Sequence, residues 1–332
     1  MVVARTTIRP AAAAVGQDGV MDTTRRRGIL FVAQVAVALG LLALVWRVVD
    51  GGEALRLLAD AHIGWALAAV FTLSLQIVLS ALRWRITAAQ LGITLSARTA
   101  IKEYYLSQII NQSLPGGVLG DAGRAVRAKS QAGLLASGQA VVLERLAGQL
   151  GLLLVLAVAF SVTLSVPGGL SWPGWLAWSV AGLLALAVLL PFLLAASARL
   201  LPPRARNFLI ALGKTARHAL TARNVWGAQL ALGLATALTN IAGVVWCARA
   251  LGIDLPFGVA MAIVPLILFT MLIPITVSGW GLREGAAVVT FPLAGLSTTE
   301  GLATSVAFGL VLIIIALPGL WFLRPSAHQV NR

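Results

Sequence analysis

The chain has 332 residues, of which 59% are hydrophobic and only 11% charged, with a mean hydropathy of +0.92 and a formal net charge of +14. A water-soluble domain of this length carries far more polar surface, so composition excludes one and points to a polytopic helical membrane protein. The basic residues lie between apolar runs, where they suit anionic lipid headgroups and not nucleic acid.

Residues 1–28 read as a disordered, basic cytoplasmic tail. The apolar residues 11–14 are too few for the h-region of a signal peptide, and Arg25, Arg26 and Arg27 directly precede the first long hydrophobic run. Full spans are predicted near 29–49, 63–82, 136–165, 174–197, 225–248 and 302–323, each approaching or exceeding the roughly 20 residues a crossing needs. None shows the period-2 alternation of a β-barrel. Two further apolar stretches, 103–122 and 257–295, are interrupted by Pro and Gly. Residues 199–223 read as a basic amphipathic connector resting on lipid, and 324–332 as a second cytoplasmic tail.

The basic residues orient the chain. With the N-terminus inside, the cytoplasmic pieces hold five in the tail, four at 83–102, three at 124–129, six at 199–223 and two at the C-terminus; the opposite side holds Arg47, Arg56 and Arg249. That asymmetry predicts a membrane protein with both termini cytoplasmic. Residues 83–102 and 124–129 then share a side, so the stretch between them must dip into the bilayer and return. The same reasoning makes 257–295 a hairpin entering from outside, or else two full crossings. The predicted fold class is all-α and polytopic: about six full spans plus two broken re-entrant hairpins.

The hairpins belong to a repeat. Leu91-Gly-Ile-Thr-Leu95 returns as Leu251-Gly-Ile-Asp-Leu255, and Pro115, Gly120 and Arg124 keep the spacing of Pro274, Gly279 and Arg283. One membrane domain, 29–323, therefore contains repeat 1 (about 63–165) and repeat 2 (about 225–323), with inverted topology because one hairpin opens inward and the other outward.

Helix breaks at membrane depth tend to mark binding sites. Exposed amides at a half-helix N-terminus attract anions, and an arginine adds a planar fork suited to phosphate. The candidate headgroup-binding residues are Arg124, Arg283, Asn111, Ser113, Gly116, Gly117, Gly120, Gly279 and Gly281. Asp121, Glu144, Arg145 and Glu284 form a candidate intramembrane charge network, since ionisable groups there need partners. Sequence neighbours on a helix point about 100° apart, so pairing is expected between repeats: Glu144 with Arg283 or Arg124, and Glu284 with Arg145. Arg83, Trp84, Tyr104 and Tyr105 read as interfacial anchors, and Asn240 as a mid-span residue bonding across helices. Cys247 is the single cysteine, and His62, His218 and His328 have no ligand spacing, so neither metal nor cofactor is implied.

Together these motifs carry a resemblance. Arg83-Trp84, Leu91-Gly92, the break from Asn111 through Leu114-Pro115-Gly116-Gly117 to Arg124, Glu144-Arg145-Leu146, Gly279-Trp-Gly-Leu-Arg283-Glu284-Gly285 and Leu317-Pro318-Gly319 resemble the membrane region of the lysylphosphatidylglycerol synthase family, over roughly residues 30–323. The resemblance implies flippase-like lipid translocation. Candidate cargoes are an anionic phospholipid, a polyprenyl-phosphate-linked lipid, or a hopanoid or glycolipid. Full-length relatives add a soluble aminoacyltransferase domain; this chain stops at Arg332, so synthase activity is not expected. The alternatives are a membrane-embedded lipid or glycosyl transferase and an accessory scaffold partnering lipid-synthesis enzymes.

Overall fold

The computed structural model describes residues 17–114, 118–166, 170–273 and 275–322, with side chains from residue 32 onward. Pro115, Gly116, Gly117, Pro274 and the tails 1–16 and 323–332 lie outside the described residues. Those described are helical, with no strand.

Helix α1 (Gln17–Val48) begins inside the expected tail, so residues 17–28 are helical rather than disordered. Arg25–Arg27 are good helix formers and carry the helix of the hydrophobic run upstream. A bend of 97° leads into α2 (Gly51–Ala59), where the Asp50 carboxylate caps the Glu53 amide at 3.0 Å. Then come α3 (Ile63–Ala89), α4 (Ala97–Ser113), α5 (Leu119–Ser165), α6 (Gly174–Ser197), α7 (Pro203–Thr221) and α8 (Trp226–Ala250). The chain ends with α9 (Phe257–Thr270), α10 (Leu282–Thr290), α11 (Thr298–Ala316) and the single turn α12 (Pro318–Trp321).

Helices α3, α5, α6, α8 and α11 with α12 are long and apolar enough to cross a membrane, and the bent pair α1–α2 makes a sixth candidate. These are the six predicted spans. Helices α9 and α10 have 14 and 9 residues, about 21 and 14 Å at 1.5 Å per residue. Both fall short of a hydrocarbon core of roughly 30 Å, which speaks against two full crossings in 257–295. Within α5, Gly133 leaves helical geometry (φ 80°, ψ 167°) and divides the limb that follows the first break from the apolar span.

The two copies close their first spans alike. After α3 the Ile93 amide bonds the Ala88 carbonyl and the Gly92 amide bonds Ala89; after α8 the Ile253 amide bonds Ala248 and Gly252 bonds Arg249. Gly92 (φ 78°) and Gly252 (φ 74°) take the left-handed position. Each turn is a Schellman cap whose following isoleucine is buried. An added Cβ meets nothing within 4 Å at either glycine. Gly92→Ala and Gly252→Ala should therefore each cost about 1–2 kcal/mol from backbone conformation alone, read as a lower unfolding midpoint in detergent.

Helices α3 and α8 pack most extensively, and α5, α9 and α11 surround them around one apolar core that includes Leu73, Ile77, Ile241, Ile263 and Phe308. Helices α5 and α8 meet backbone to backbone: a Cβ on Gly151 would lie 2.5 Å from the Gly233 carbonyl oxygen. Small residues permit such close crossings where lipid supplies no hydrophobic drive between helices.

Candidate functional site

The two breaks meet in the interior. Gln112, at the end of α4, accepts a hydrogen bond through Oε1 from the Ser278 hydroxyl in the loop before α10. Ser278 has φ 52°, the one left-handed non-glycine among the described residues, a strain that tends to persist at functional positions. In a Cys247→Ser background, Gln112→Cys combined with Ser278→Cys should cross-link on mild oxidation, as a mass shift after alkylation would show.

The first break is closed by its own side chains. The Asn111 amide oxygen accepts from the Gly120 amide at 2.7 Å, and the Ser107 hydroxyl donates to the Gly120 carbonyl at 2.8 Å. This satisfies backbone that the interrupted helix leaves open. Ser113, the other expected cap, is exposed.

Below this break lies a buried charge cluster. Glu144, fully buried, receives Arg83 Nη2 at 2.7 Å on one oxygen and Arg124 Nη2 at 2.9 Å on the other. The Tyr104 hydroxyl donates to it at 3.2 Å. Arg124 also reaches Asp121 at 3.1 Å, and Asp121 pairs with Arg145. The Arg124 guanidinium lies 4.5 Å from the Tyr104 ring centre and 4.8 Å from that of Trp84, so aromatic faces back the parts of the cation that no carboxylate covers. Three arginines against two carboxylates leave the cluster with one net positive charge.

The second break repeats the theme with other partners. Arg283, fully buried, pairs with its neighbour Glu284 at 2.5 Å, donates to the Ser305 hydroxyl at 3.0 Å, and lies 4.9 Å from the Trp280 ring centre. The other Glu284 oxygen accepts the Gly281 amide at 2.6 Å. Gly279 (φ 81°) and Gly281 (φ 87°) make the turn, and Gly281 sits against Leu41 of α1.

These contacts correct the expected pairing. Glu144 does meet Arg124, but inside repeat 1; Glu144 does not meet Arg283, nor Glu284 Arg145. Both members of the Arg283–Glu284 pair sit in the first turn of α10. There the carboxylate folds back to the helix start, within reach of the curled arginine. Arg83 was read as an interfacial anchor because hydropathy falls at residue 83; α3 in fact continues to Ala89 and buries Arg83 and Trp84. Tyr104 likewise faces Glu144 rather than an interface.

Between the breaks is a polar cavity of about 240 Å³. Its lining includes pairs at the 160-residue offset of the first repeat landmark, Gln76 with Thr236 and Ser80 with Asn240. The cavity thus draws corresponding residues from α3 and α8, the helices that precede the two Leu-Gly-Ile motifs. Arg83, Glu144 and Arg145 also line it, whereas Arg124 and Arg283 do not. Asn240, expected to bond across helices, makes no hydrogen bond to a described residue and faces the cavity instead. Other residues of α5, α8 and α9 line a separate apolar groove of about 750 Å³, among them Leu154, Val158, Leu234, Leu238 and Val259.

Gln76, Gln108, Gln149 and Arg83 were not among the predicted site residues. The available signal was polarity near the middle of apolar helices, most evident for Gln76 in α3 and Gln149 in α5. Searches against curated proteins and solved structures gave no match. The family model described as the lysylphosphatidylglycerol synthase TM region matches residues 31–319. That match takes in both breaks, both arginine–carboxylate clusters and the cavity between them, and the chain belongs to this family.

Proposed function

We propose that the protein is a lipid translocator of the flippase type in a bacterial inner membrane, with both termini cytoplasmic and the two hairpins re-entrant and inverted. One observation carries this reading: a polar cavity sits among apolar helices, three of which also line an apolar groove. An amphipathic lipid has that profile, with its headgroup in the cavity and its acyl chain in the groove or in bulk lipid. Family membership supports a lipid-related role.

The net positive cluster favours an anionic headgroup at the end of the cavity lined by Arg83 and Arg145. Arg124 and Arg283 act as positioning residues, each bound to a carboxylate beneath its break. Glu144 and Glu284 are both held by arginine, which leaves neither a free base for transferase chemistry and favours movement over reaction. Alternate opening of the cavity to the two sides then carries the headgroup across.

The test uses the full chain in proteoliposomes with labelled anionic lipid in one leaflet. Parent protein should equilibrate the label well above the protein-free rate. Arg83→Gln with Arg145→Gln should slow it by about tenfold or more, in keeping with loss of two charge-assisted contacts. Equal rates with and without protein would remove the reading.

A further inference from the structure

Helix α7 has a face that the rest of the chain leaves open. It joins the end of α6 to the start of α8, both long and apolar enough to cross a membrane, so it sits at one membrane face. Burial is confined to its second half. Residues 203–208 are all exposed, whereas Thr215, Ala216 and Leu220 are half-buried and Ala219 is fully buried. Phe208, Leu212, Ala216 and Ala219 recur every third or fourth residue and share one side of the helix. The side that packs on the body in the second half therefore continues, uncovered, along the first half, where Phe208 is 55% exposed.

Charge indicates what covers it. Residues 199–223 hold Arg199, Arg204, Arg206, Lys214, Arg217 and Arg223 but no Asp or Glu. All six are exposed, and none pairs with a carboxylate among the described residues. By helical spacing Arg204, Arg206 and Arg217 flank the apolar side and Lys214 stands opposite it. An apolar face bordered by cations suits the headgroup layer of an anionic leaflet. That surface is always within reach, because α7 is tethered to a span at each end, which gives it an advantage over any partner that must diffuse in.

The packed end of α7 is joined to the interior. The buried Gln229 amide of α8 donates to the Ala219 carbonyl at 3.3 Å and to the Thr87 hydroxyl of α3 at 2.9 Å. Thr87 donates to the carbonyl of Arg83, whose side chain holds Glu144. The Gln229 oxygen is buried without a partner among the described residues. An incompletely satisfied junction of this kind is sensitive to where α7 sits.

We propose that α7 senses leaflet charge: its open first half docks on an anionic membrane surface, and docking braces α3 and α8 through Gln229. The lipid bound here is a surface ligand outside the polar cavity. Neither step involves lipid movement, so docking can hold whether or not the protein is a translocator.

The test uses the full chain, with Cys247→Ser and a nitroxide on Ala205→Cys, in nanodiscs of phosphatidylcholine alone or with a third phosphatidylglycerol. Ala205 lies on the open side of α7 and is exposed. Each basic residue near an anionic surface favours docking by about fivefold, so three together weigh about a hundredfold. Collision with a water-soluble nickel chelate should fall about fivefold or more when phosphatidylglycerol is present, and recover in high salt. Arg204→Gln, Arg206→Gln and Arg217→Gln together should abolish that fall. The gain in melting temperature from phosphatidylglycerol should be larger in the parent than in this variant, and Gln229→Leu should dock like the parent yet lose the extra gain. Equal collision rates in both lipids overturn charge sensing: if both are high, α7 stays in water, and if both are low, it inserts by its apolar side alone. Docking by the glutamine variant overturns it too. If Gln229→Leu keeps the full gain, bracing falls while docking stands.

Discussion

Glu144→Gln should destabilise the protein by about 3–5 kcal/mol, the cost of stripping the partner from a buried ion pair. The carboxylate has no exposure and holds Arg83 at 2.7 Å and Arg124 at 2.9 Å on separate oxygens. Removing its charge strands two cations at once. Their positions differ in a way that yields a second expectation. Arg83 lines the cavity and can take up water there, whereas Arg124 is enclosed between Trp84 and Tyr104. Adding Arg124→Leu to Glu144→Gln should therefore recover part of the lost stability, a positive coupling that a double-mutant cycle measures directly. Chemical unfolding in detergent is the readout. A Glu144→Gln midpoint equivalent to a change below about 0.5 kcal/mol, the range of ordinary surface substitutions, would show that the cluster contributes little.

Gly120→Ala should be nearly as damaging, for a steric reason. A methyl group there would stand 2.1 Å from the Ser107 carbonyl oxygen and 2.8 Å from the Asn111 amide oxygen. The nearer atom is backbone, so no rotamer change relieves the contact and α4 must shift away from α5. Overpacking of this kind costs about 1–3 kcal/mol. The shift also breaks the hydrogen bonds by which Asn111 and Ser107 close the first break. On the proposed function, lipid movement should fall by more than stability does, because Asn111 and Gln112 border the cavity. Gly138→Ala and Gly182→Ala make the control. Both positions are helical and open, with nothing within 4 Å of the added carbon. Alanine there should be neutral or stabilising by about 0.5–1 kcal/mol.

The spans were legible in the sequence because apolar runs near 20 residues have few other uses, and the like ends of α3 and α8 because a Schellman turn demands glycine at one position in each. The breaks announced themselves through proline, glycine and a following arginine. The pairing of charges was not legible. Glu144 meets partners 61 and 20 residues earlier in the chain, and which of several arginines it meets depends on how α3 and α5 are rotated. Arg283 and Glu284 broke the rule that sequence neighbours on a helix diverge, because a first-turn glutamate can bend back to the Gly281 amide. Arg83 was hidden by a hydropathy boundary that the helix ignores. The cavity was hardest to foresee: each of its carboxamides, taken singly, is an ordinary polar residue, and only the packing of four helices brings them to one space.

The Gly151–Gly233 contact limits how this domain can change shape. On α5 it lies within the stretch that borders the polar cavity, between Gln149 and Leu152, three residues before the groove begins at Leu154. Two rods touching at one point cannot come nearer there, but they can turn about it like the blades of scissors. Widening the gap at one end of the crossing widens it at the other, so the contact ties both sides of the pair to a single crossing angle.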